Sequence, residues 1–326
     1  MKMTSAKILG LLTSGGDAPG MNAAIRAVTR AALGSGFRVL GFQHGYEGIL
    51  RAQFQELDSR SVSNIIQRGG TILKTARSAD FLTASGLKKA AAVLKKLDVS
   101  ALVLIGGDGT FRGAMDLKKF WNGQMIGIPG TIDNDLAGTD FTIGFDTAVN
   151  TAVEAIDKIR DTATAHERFF LVEVMGRHCG QIALAVGIAG GAEEVLIPEK
   201  TEKIETICER LSAAHRLGKT SSIVVVAEGV KGGAFGVAQQ LKKLSQIEYR
   251  VSILGYIQRG GHPTAADRCL ATRLGIYAVE AILSGESGKM TGEAGGKLVL
   301  VPFPVAVKGK RRIDPRYGKM MKFLNL

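Results

Sequence analysis

The sequence predicts an α/β protein built on doubly wound, three-layer, mostly parallel sheets, and three observations carry that prediction. Short apolar runs recur along the whole chain, each ending at Gly, Pro or a charged residue. Segments with helical spacing lie between them. The loops that follow several runs are rich in Gly and Asp. Parallel strands joined by helical crossovers are the economical arrangement for this alternation, and such sheets bind ligands at the carboxyl ends of their strands.

In order, residues 8–12 read as a strand, followed by the loop TSGGDAPGMNAAIR at 13–26 and a helix over 22–33. Residues 39–42 form a second apolar run, and 87–97 a second helix-like segment. The run 102–105 leads into GGDGT at 106–110, and the run 125–128 into PGTIDND at 129–135. Further strands are expected at 169–174, 223–227 and 298–301. No solenoid repeat and no low-complexity linker interrupts the alternation. The Gly-rich stretches at 138–144 and 255–261 are candidate crossovers between domains.

At 326 residues the chain exceeds one typical domain, so two are expected, with a substantial core. It is 45% hydrophobic and 22% charged, the composition of a folded globular protein. No apolar stretch reaches the roughly 18 residues a membrane span needs, and no secretory pattern stands at the amino terminus. A soluble, cytoplasmic protein is expected. The three cysteines, Cys179, Cys208 and Cys269, show no metal or redox spacing and read as reduced, inert core residues. Lys plus Arg exceed Asp plus Glu by 42 to 30, a net charge of +12, which fits nucleic acid, an anionic membrane or small anionic substrates. The concentrated basic run KGKRRIDPR lacks interleaved aromatics and reads as a solvated tail.

Three loops leave strands where such a fold binds ligands. In the first, Gly15 and Gly16 let backbone amides approach a phosphate while a helix beginning near Met21 or Asn22 adds its dipole. A tight strand-to-helix turn explains the same residues, because the loop is neither GxGxxG nor a Walker loop. In the second, the glycines around Asp108 allow close passage of a nucleotide while Asp108 holds Mg2+; a turn seldom needs glycines on both sides of one Asp. In the third, an extended run would project Thr131, Asp133 and Asp135 from one side, with Ile132 and Asn134 on the other. That suits cation binding or proton abstraction. Asp and Asn are also ordinary turn residues, and on the heptapeptide alone the turn reading is favoured.

Arg77, Arg168, Arg177, Arg250 and Arg259 sit in or beside loops flanking strands. Planar guanidiniums suit phosphate oxygens. Any one of them is more often a surface residue or an ion-pair partner, but as a set beside Gly-rich loops they gain weight. With Mg2+ and an aspartate base, phosphoryl transfer needs little beyond positioning.

Taken together, TSGGDAPGMNAAIR, IGGDGT, PGTIDND, VEVMGRHCG, IAGGAEE and LGYIQRGG closely resemble the bacterial ATP-dependent 6-phosphofructokinases, in order from about residue 7 to 304. The resemblance implies two doubly wound domains. Residues 1–143 with 257–306 would form a larger ATP and Mg2+ domain, and 144–256 with 307–326 a smaller fructose 6-phosphate domain. It implies transfer of the ATP γ-phosphoryl group to the 1-hydroxyl of fructose 6-phosphate, the committed step of glycolysis. Asp133 matches the general base and Thr131 a residue that contacts sugar and transferred phosphoryl. Asp108 matches the Mg2+ site and Asp135 a second carboxylate near the metal. Gly16, Gly107, Gly109 and Thr110 match the two nucleotide loops, and Arg77 with Arg177 the arginines that neutralise transition-state charge. Met175, Gly176, Arg177, Glu228, Tyr256 and Arg259 match sugar-phosphate contacts within one subunit. Arg168 and Arg250 match residues reaching in from a neighbour, which implies a homotetramer with shared sites.

Pyrophosphate-dependent relatives typically carry Asp where this chain has Gly109 and Lys where it has Gly130. An acid at 109 would intrude on the nucleotide α-phosphate, so two glycines point to ATP. The family's frequent histidine is Tyr256 here; its hydroxyl can still bind a 6-phosphate but cannot become cationic. Arg26, Arg30, Arg160, Glu193 and Lys219 match residues that bind ADP or phosphoenolpyruvate. However, the arginine expected after Leu57-Asp58 is Ser59, with Arg60 one place late, and an expected lysine is Leu217. In an extended segment that offset swings Arg60 to the opposite side. Regulation by these effectors is therefore open. Two other readings stand beside ATP-dependent transfer: a pyrophosphate-dependent enzyme, and a silent nucleotide-sensing or nucleic-acid-binding protein that uses its positive charge. Against the last, a binding protein has no use for a base such as Asp133.

Overall fold

The computed structural model describes residues 6–200, 202–308, 313–314, 316–317 and 320. Its first half runs β1 (Ile8–Ser14), α1 (Met21–Gly34), β2 (Arg38–Phe42), α2 (Tyr46–Leu50), β3 (Phe54–Leu57), α3 (Ala84–Lys96), β4 (Val99–Gly106), α4 (Asp108–Leu117), β5 (Gln124–Pro129) and α5 (Phe145–Ala165). The second half runs β6 (Phe169–Val174), α6 (Gln181–Ala189), β7 (Glu194–Leu196), α7 (Ile204–Arg216), β8 (Ser222–Ala227), α8 (Gly233–Ser245), β9 (Tyr249–Ile253), α9 (Ala265–Leu283), β10 (Lys289–Ala294), β11 (Lys297–Pro302) and α10 (Phe303–Lys308). Two compact units result. One comprises Met1–Ile132, Leu136–Asp146 and Arg259–Arg311; the other comprises Asp133–Asp135, Thr147–Gln258 and Arg312–Leu326.

The first unit holds a seven-stranded sheet in the order β11-β10-β5-β4-β1-β2-β3. Its interior pairs are parallel, while β3 runs against β2 and β11 against β10. The run 298–301 is thus the return strand of a hairpin rather than another parallel strand. Central strands β1 and β4 are buried almost throughout, which is why they read as near-continuous apolar runs. Helix α1 buries Ala24, Ile25, Val28 and Ala32, the spacing of one helical stripe. It meets α9 closely because Gly275 carries no side chain; a Cβ there would stand 2.7 Å from that of Ala27. Phe111 and Phe303 stack with centroids 5.2 Å apart, and both press on Gly127 of β5, where a Cβ would overlap Phe111. Burying one such ring stabilises by about 2–3 kcal/mol.

The second unit has a four-stranded, wholly parallel sheet in the order β7-β8-β6-β9. Phe169, Leu171, Val224 and Val226 from its strands pack with Ile207 and Leu211 of α7 and Val237 and Leu241 of α8. No helix among the described residues is long and apolar enough to cross a membrane. Most of the basic run near the carboxyl terminus lies outside the described residues.

Candidate active site

In the first unit the carboxyl ends of three neighbouring strands line up: Ser14 of β1 pairs with Gly106 of β4, and Gly106 with Pro129 of β5. The loops carrying Gly16, Gly107–Thr110 and Thr131 therefore emerge side by side. Gly15 at φ +89° and Gly20 at φ +107° are in the left-handed region, so the chain reverses there and enters α1 at Met21. No side chain fits at Gly106, where a Cβ would strike Thr110 Oγ1 and the Ser14 carbonyl. Thr110 Oγ1 instead donates to that carbonyl at 3.0 Å, tying α4 to the end of β1. Tyr46, fully buried and with its phenol pushed up by burial, donates to the Thr110 carbonyl at 2.5 Å.

Asp108 stands in the first turn of α4; its Oδ1 accepts the Gly109 N–H at 2.7 Å, and Oδ2 lies 3.7 Å from Arg112 Nε. Around Gly109 a Cβ would meet nothing within 4 Å. Gly130 is the opposite case, since a Cβ there would stand 2.9 Å from Ile105 Cγ2 and 3.1 Å from Met21 Cε.

Arg77 is exposed at the end of a segment sewn to β1 and α1 by side chains the sequence reading does not single out. Asn22 Nδ2 donates to the Arg68 and Gly69 carbonyls, both at 3.1 Å, and its Oδ1 accepts the Ile72 N–H at 2.8 Å. Thr75 Oγ1 donates to the Gly15 carbonyl at 2.6 Å. Across the same loop, Arg259 lies directly over Gly16 and donates from Nη1 to the Asp17 carbonyl at 3.1 Å. The residues matched to nucleotide loops and one of those matched to the sugar phosphate thus share this end of the sheet.

The loop 129–135 is not extended. Asn134 adopts φ +51°, which breaks the alternation that would separate Thr131, Asp133 and Asp135 from Ile132 and Asn134. Thr131, Ile132, Asp133 and Asn134 are all buried, and Asp135 is partly so. The carboxylate at 133 is held in a bend rather than displayed on a strand face.

In the second unit the loop after β6, residues 175–180, is held by its backbone amides. Met175 N–H donates to Gln258 Oε1 at 2.8 Å; Gly176 and Arg177 N–H donate to Glu228 Oε1 at 3.1 and 2.5 Å; Gly180 N–H donates to Glu199. Arg177 sits at φ +56°, a conformation that costs a non-glycine residue of order 1 kcal/mol and that these bonds sustain. Met175, Gly176, Arg177 and Glu228 are gathered at one end of this sheet, as is Tyr256, 84% exposed in the 3-10 turn Gly255–Arg259. Gln258 and Glu199 are missed by the sequence reading. Glutamine and glutamate in loops look solvated, and only the fully buried amide of Gln258 betrays its task.

Arg168 and Arg250 do not join that group. Both are exposed at the amino ends of β6 and β9, where Phe170 pairs with Arg250. Seven residues at about 3.3 Å each put roughly 23 Å between Arg168 and Met175 along the strand. Arg160, Glu193 and Lys219 do come together: Lys219 Nζ lies 2.7 Å and Arg160 Nη1 3.8 Å from Glu193 Oε1. Leu217 is 90% exposed beside them. Arg26 and Arg30 stand one turn apart on α1 in the first unit. Ser59 and Arg60 lie in a turn closed by Asp58, whose Oδ1 accepts the N–H of Arg60 at 2.9 Å and of Ser61 at 2.7 Å. The side-swapping expected of an extended segment therefore does not apply to Arg60. Among the described residues no three His, Cys, Asp or Glu side chains cluster as a protein-only metal cage.

The sequence profile of the phosphofructokinase family (PFK, Phosphofructokinase) matches residues 8–282. The chain belongs to that family. It is 55% identical over 321 residues to the ATP-dependent 6-phosphofructokinase 1 of Thermus thermophilus, covering 98% of this chain and 100% of that relative. To the ATP-dependent 6-phosphofructokinase of Clostridium botulinum it is 51% identical over 308 residues, 94% of this chain and 96% of the relative. Among solved structures it is similar to phosphofructokinase from Saccharomyces cerevisiae, with TM-score 0.85 and 34% identity over 98% of this chain; it spans 47% of that longer chain. Membership of the family accounts for the α/β fold and for the glycine loops of the first unit.

Proposed function

We propose that this chain is an ATP-dependent 6-phosphofructokinase, transferring the γ-phosphoryl group of ATP to the 1-hydroxyl of fructose 6-phosphate. The reading is carried by its identity, over nearly its whole length, to full-length relatives of that name. Supporting it, the three glycine and aspartate loops emerge together at the carboxyl ends of β1, β4 and β5. The first unit would bind ATP and the second the sugar phosphate. Gly16 and Gly107–Thr110 bring backbone amides and the α4 amino terminus to the phosphates. Asp108 suits Mg2+, which is commonly held by one or two carboxylates together with substrate phosphates, and Asp135 is the second carboxylate in this reading. When bound, Mg2+ neutralises charge on the transferring phosphoryl group.

Asp133 accepts the proton of the 1-hydroxyl as that oxygen attacks phosphorus, and ADP leaves with the former bridging oxygen. Thr131 contacts the sugar and the transferring group. Arg77 and Arg177 offset the negative charge that develops on the equatorial oxygens. Met175, Gly176, Glu228, Tyr256 and Arg259 orient the sugar phosphate. Arg168, roughly 23 Å from Met175 along β6, and Arg250, beside Phe170 at the amino end of β9, would serve a neighbouring subunit's site; a homotetramer with shared sites, in the cytoplasm, belongs to this reading. Arg160, Glu193 and Lys219, with Arg26 and Arg30, are the candidate effector contacts for ADP or phosphoenolpyruvate. Neither a membrane nor nucleic acid has a part in this scheme.

The open space at Gly109 favours ATP over pyrophosphate. Coupled assays with each donor at fixed Mg2+ test the proposal: turnover with ATP far above that with pyrophosphate is expected, and the reverse ratio would overturn it.

A further inference from the structure

Three loops leave the carboxyl end of the second unit's sheet: residues 175–180 after β6, 228–232 after β8 and 254–258 after β9. Glu173 is the penultimate residue of β6, paired with Val226 of β8 on one side and Ile253 of β9 on the other. Leu171, Val172 and Val174 around it are buried and apolar. A carboxylate in the middle of a parallel sheet is out of pattern, since such strands read as continuous apolar runs.

Its contacts account for it. Glu173 Oε2 accepts the N–H of Ala234 at 2.7 Å, in the first turn of α8. Gly233 makes room for that approach, because a Cβ there would lie 2.6 Å from the same oxygen. The Glu173 carbonyl accepts the Leu254 N–H at 3.1 Å, just ahead of the turn that carries Tyr256 and Gln258. The next carbonyl, of Val174, accepts the Glu228 N–H at 2.9 Å. The loop 228–232 is therefore pinned at its start by Val174 and at its end by the Glu173 carboxylate. Glu228, fixed between these pins, accepts the amides of Gly176 and Arg177 and keeps Arg177 in its left-handed conformation. An acceptor at a helix amino terminus meets unpaired N–H groups and the positive end of the helix dipole, so a carboxyl side chain suits this anchor better than an apolar one.

We propose that Glu173 is a positioning residue for fructose 6-phosphate. It touches no substrate; by anchoring the amino end of α8 it fixes the 228–232 loop, and through Glu228 it sets the 175–177 backbone. This inference rests on the proposed function for its substrate and on the hydrogen bonds for its mechanics.

The test compares Glu173→Met, of similar length but with no acceptor of comparable strength, with Glu173→Gln, which keeps an amide oxygen for Ala234. Half-saturation for fructose 6-phosphate is expected to rise about tenfold in E173M and about twofold to threefold in E173Q, the scale of a lost and a weakened charge-assisted hydrogen bond. Half-saturation for ATP should stay within twofold of the parent. Hydrogen exchange without substrate should quicken at the amides of 176, 177 and 234 in E173M, with partial restoration in E173Q. Equal changes for both substrates, or a lowered thermal midpoint with no selective effect, would overturn the proposal. Should E173M not fold, E173Q alone decides: a selective rise with faster exchange supports the role and parental behaviour refutes it. Should the parent enzyme not phosphorylate fructose 6-phosphate, the proposed function falls, and amide exchange still judges whether Glu173 sets this backbone.

Discussion

Two glycines that bear on donor choice make opposite demands on the first unit, and substituting each with alanine separates packing from chemistry. At Gly130 a new Cβ meets Ile105 Cγ2 at 2.9 Å, Met21 Cε at 3.1 Å and the Gly106 backbone nitrogen at 3.4 Å. Ile105 and Met21 are fully buried, so neither can retreat into solvent. Overpacking of this kind costs about 1–3 kcal/mol. At Gly109 the new Cβ meets nothing within 4 Å, and the residue is the second of α4, where replacing glycine adds up to about 1 kcal/mol of helix propensity. The two variants should therefore differ by roughly 1–4 kcal/mol, or roughly 0.3–1.3 M in urea midpoint for a slope of about 3 kcal/mol/M. Trp121, the chain's single tryptophan, is buried in the first unit and reports its unfolding by fluorescence. Coincident midpoints for G130A and G109A would refute the packing argument. In the same preparations Gly109→Asp should fold, yet raise half-saturation for ATP at least about fivefold through repulsion worth about 1–4 kcal/mol across a few ångströms. Retained ATP affinity would show that this space is not where the nucleotide phosphates pass.

Three further outcomes are expected. Asp133→Ser should bind both substrates nearly as the parent does while turnover falls by about 10² or more, measured in a coupled assay; comparable turnover would remove Asp133 as the base. Arg250→Ala should chiefly raise half-saturation for fructose 6-phosphate, and mixing it with a subunit defective only in Asp133 should restore hybrid sites if the arginine acts across subunits. Cys179, pushed up to about 12 by burial, stays protonated at pH 8 and should resist thiol reagents in the folded protein. Cys269, expected in the core, is instead exposed on α9 and should react at once; labelling of all three thiols at equal rates would contradict the burial described.

Much of this architecture was legible because burial on both faces leaves an apolar run. The strands β1, β4, β6 and β8 are of that kind. What stayed hidden are strands without a continuous apolar run to announce them: β3 reads FQEL with three exposed residues, β7 is three residues long, β9 mixes exposed and buried positions, and β10, KMTGEA, is half polar. Direction was equally silent, since nothing in the run 298–301 distinguishes a hairpin return from another parallel strand. Glycines marked the ends of β1 and β4, because the left-handed turn at Gly15 and the close approach at Gly106 suit no other residue. Their conformation was less readable: Asn134 turns left-handed where an extended course was expected, and Asp58 closes a turn around Arg60. The sheet's carboxyl-end rule did not anticipate Arg168 and Arg250, which stand at the amino ends of their strands. Supporting acceptors such as Gln258 and Glu173 carry no sequence signature, because their partners are backbone amides distant in the chain.

The hairpin β10–β11 and helix α10 follow residue 282, where the family profile stops, yet they complete the first unit's sheet and supply Phe303 to the stack on Phe111. An expression clone trimmed to the profile would lose the strand that covers β5, leaving a raw hydrogen-bonding border and a half-naked aromatic pair. Such a truncate should precipitate rather than fold, so the shortest workable gene for this protein runs at least through Lys308.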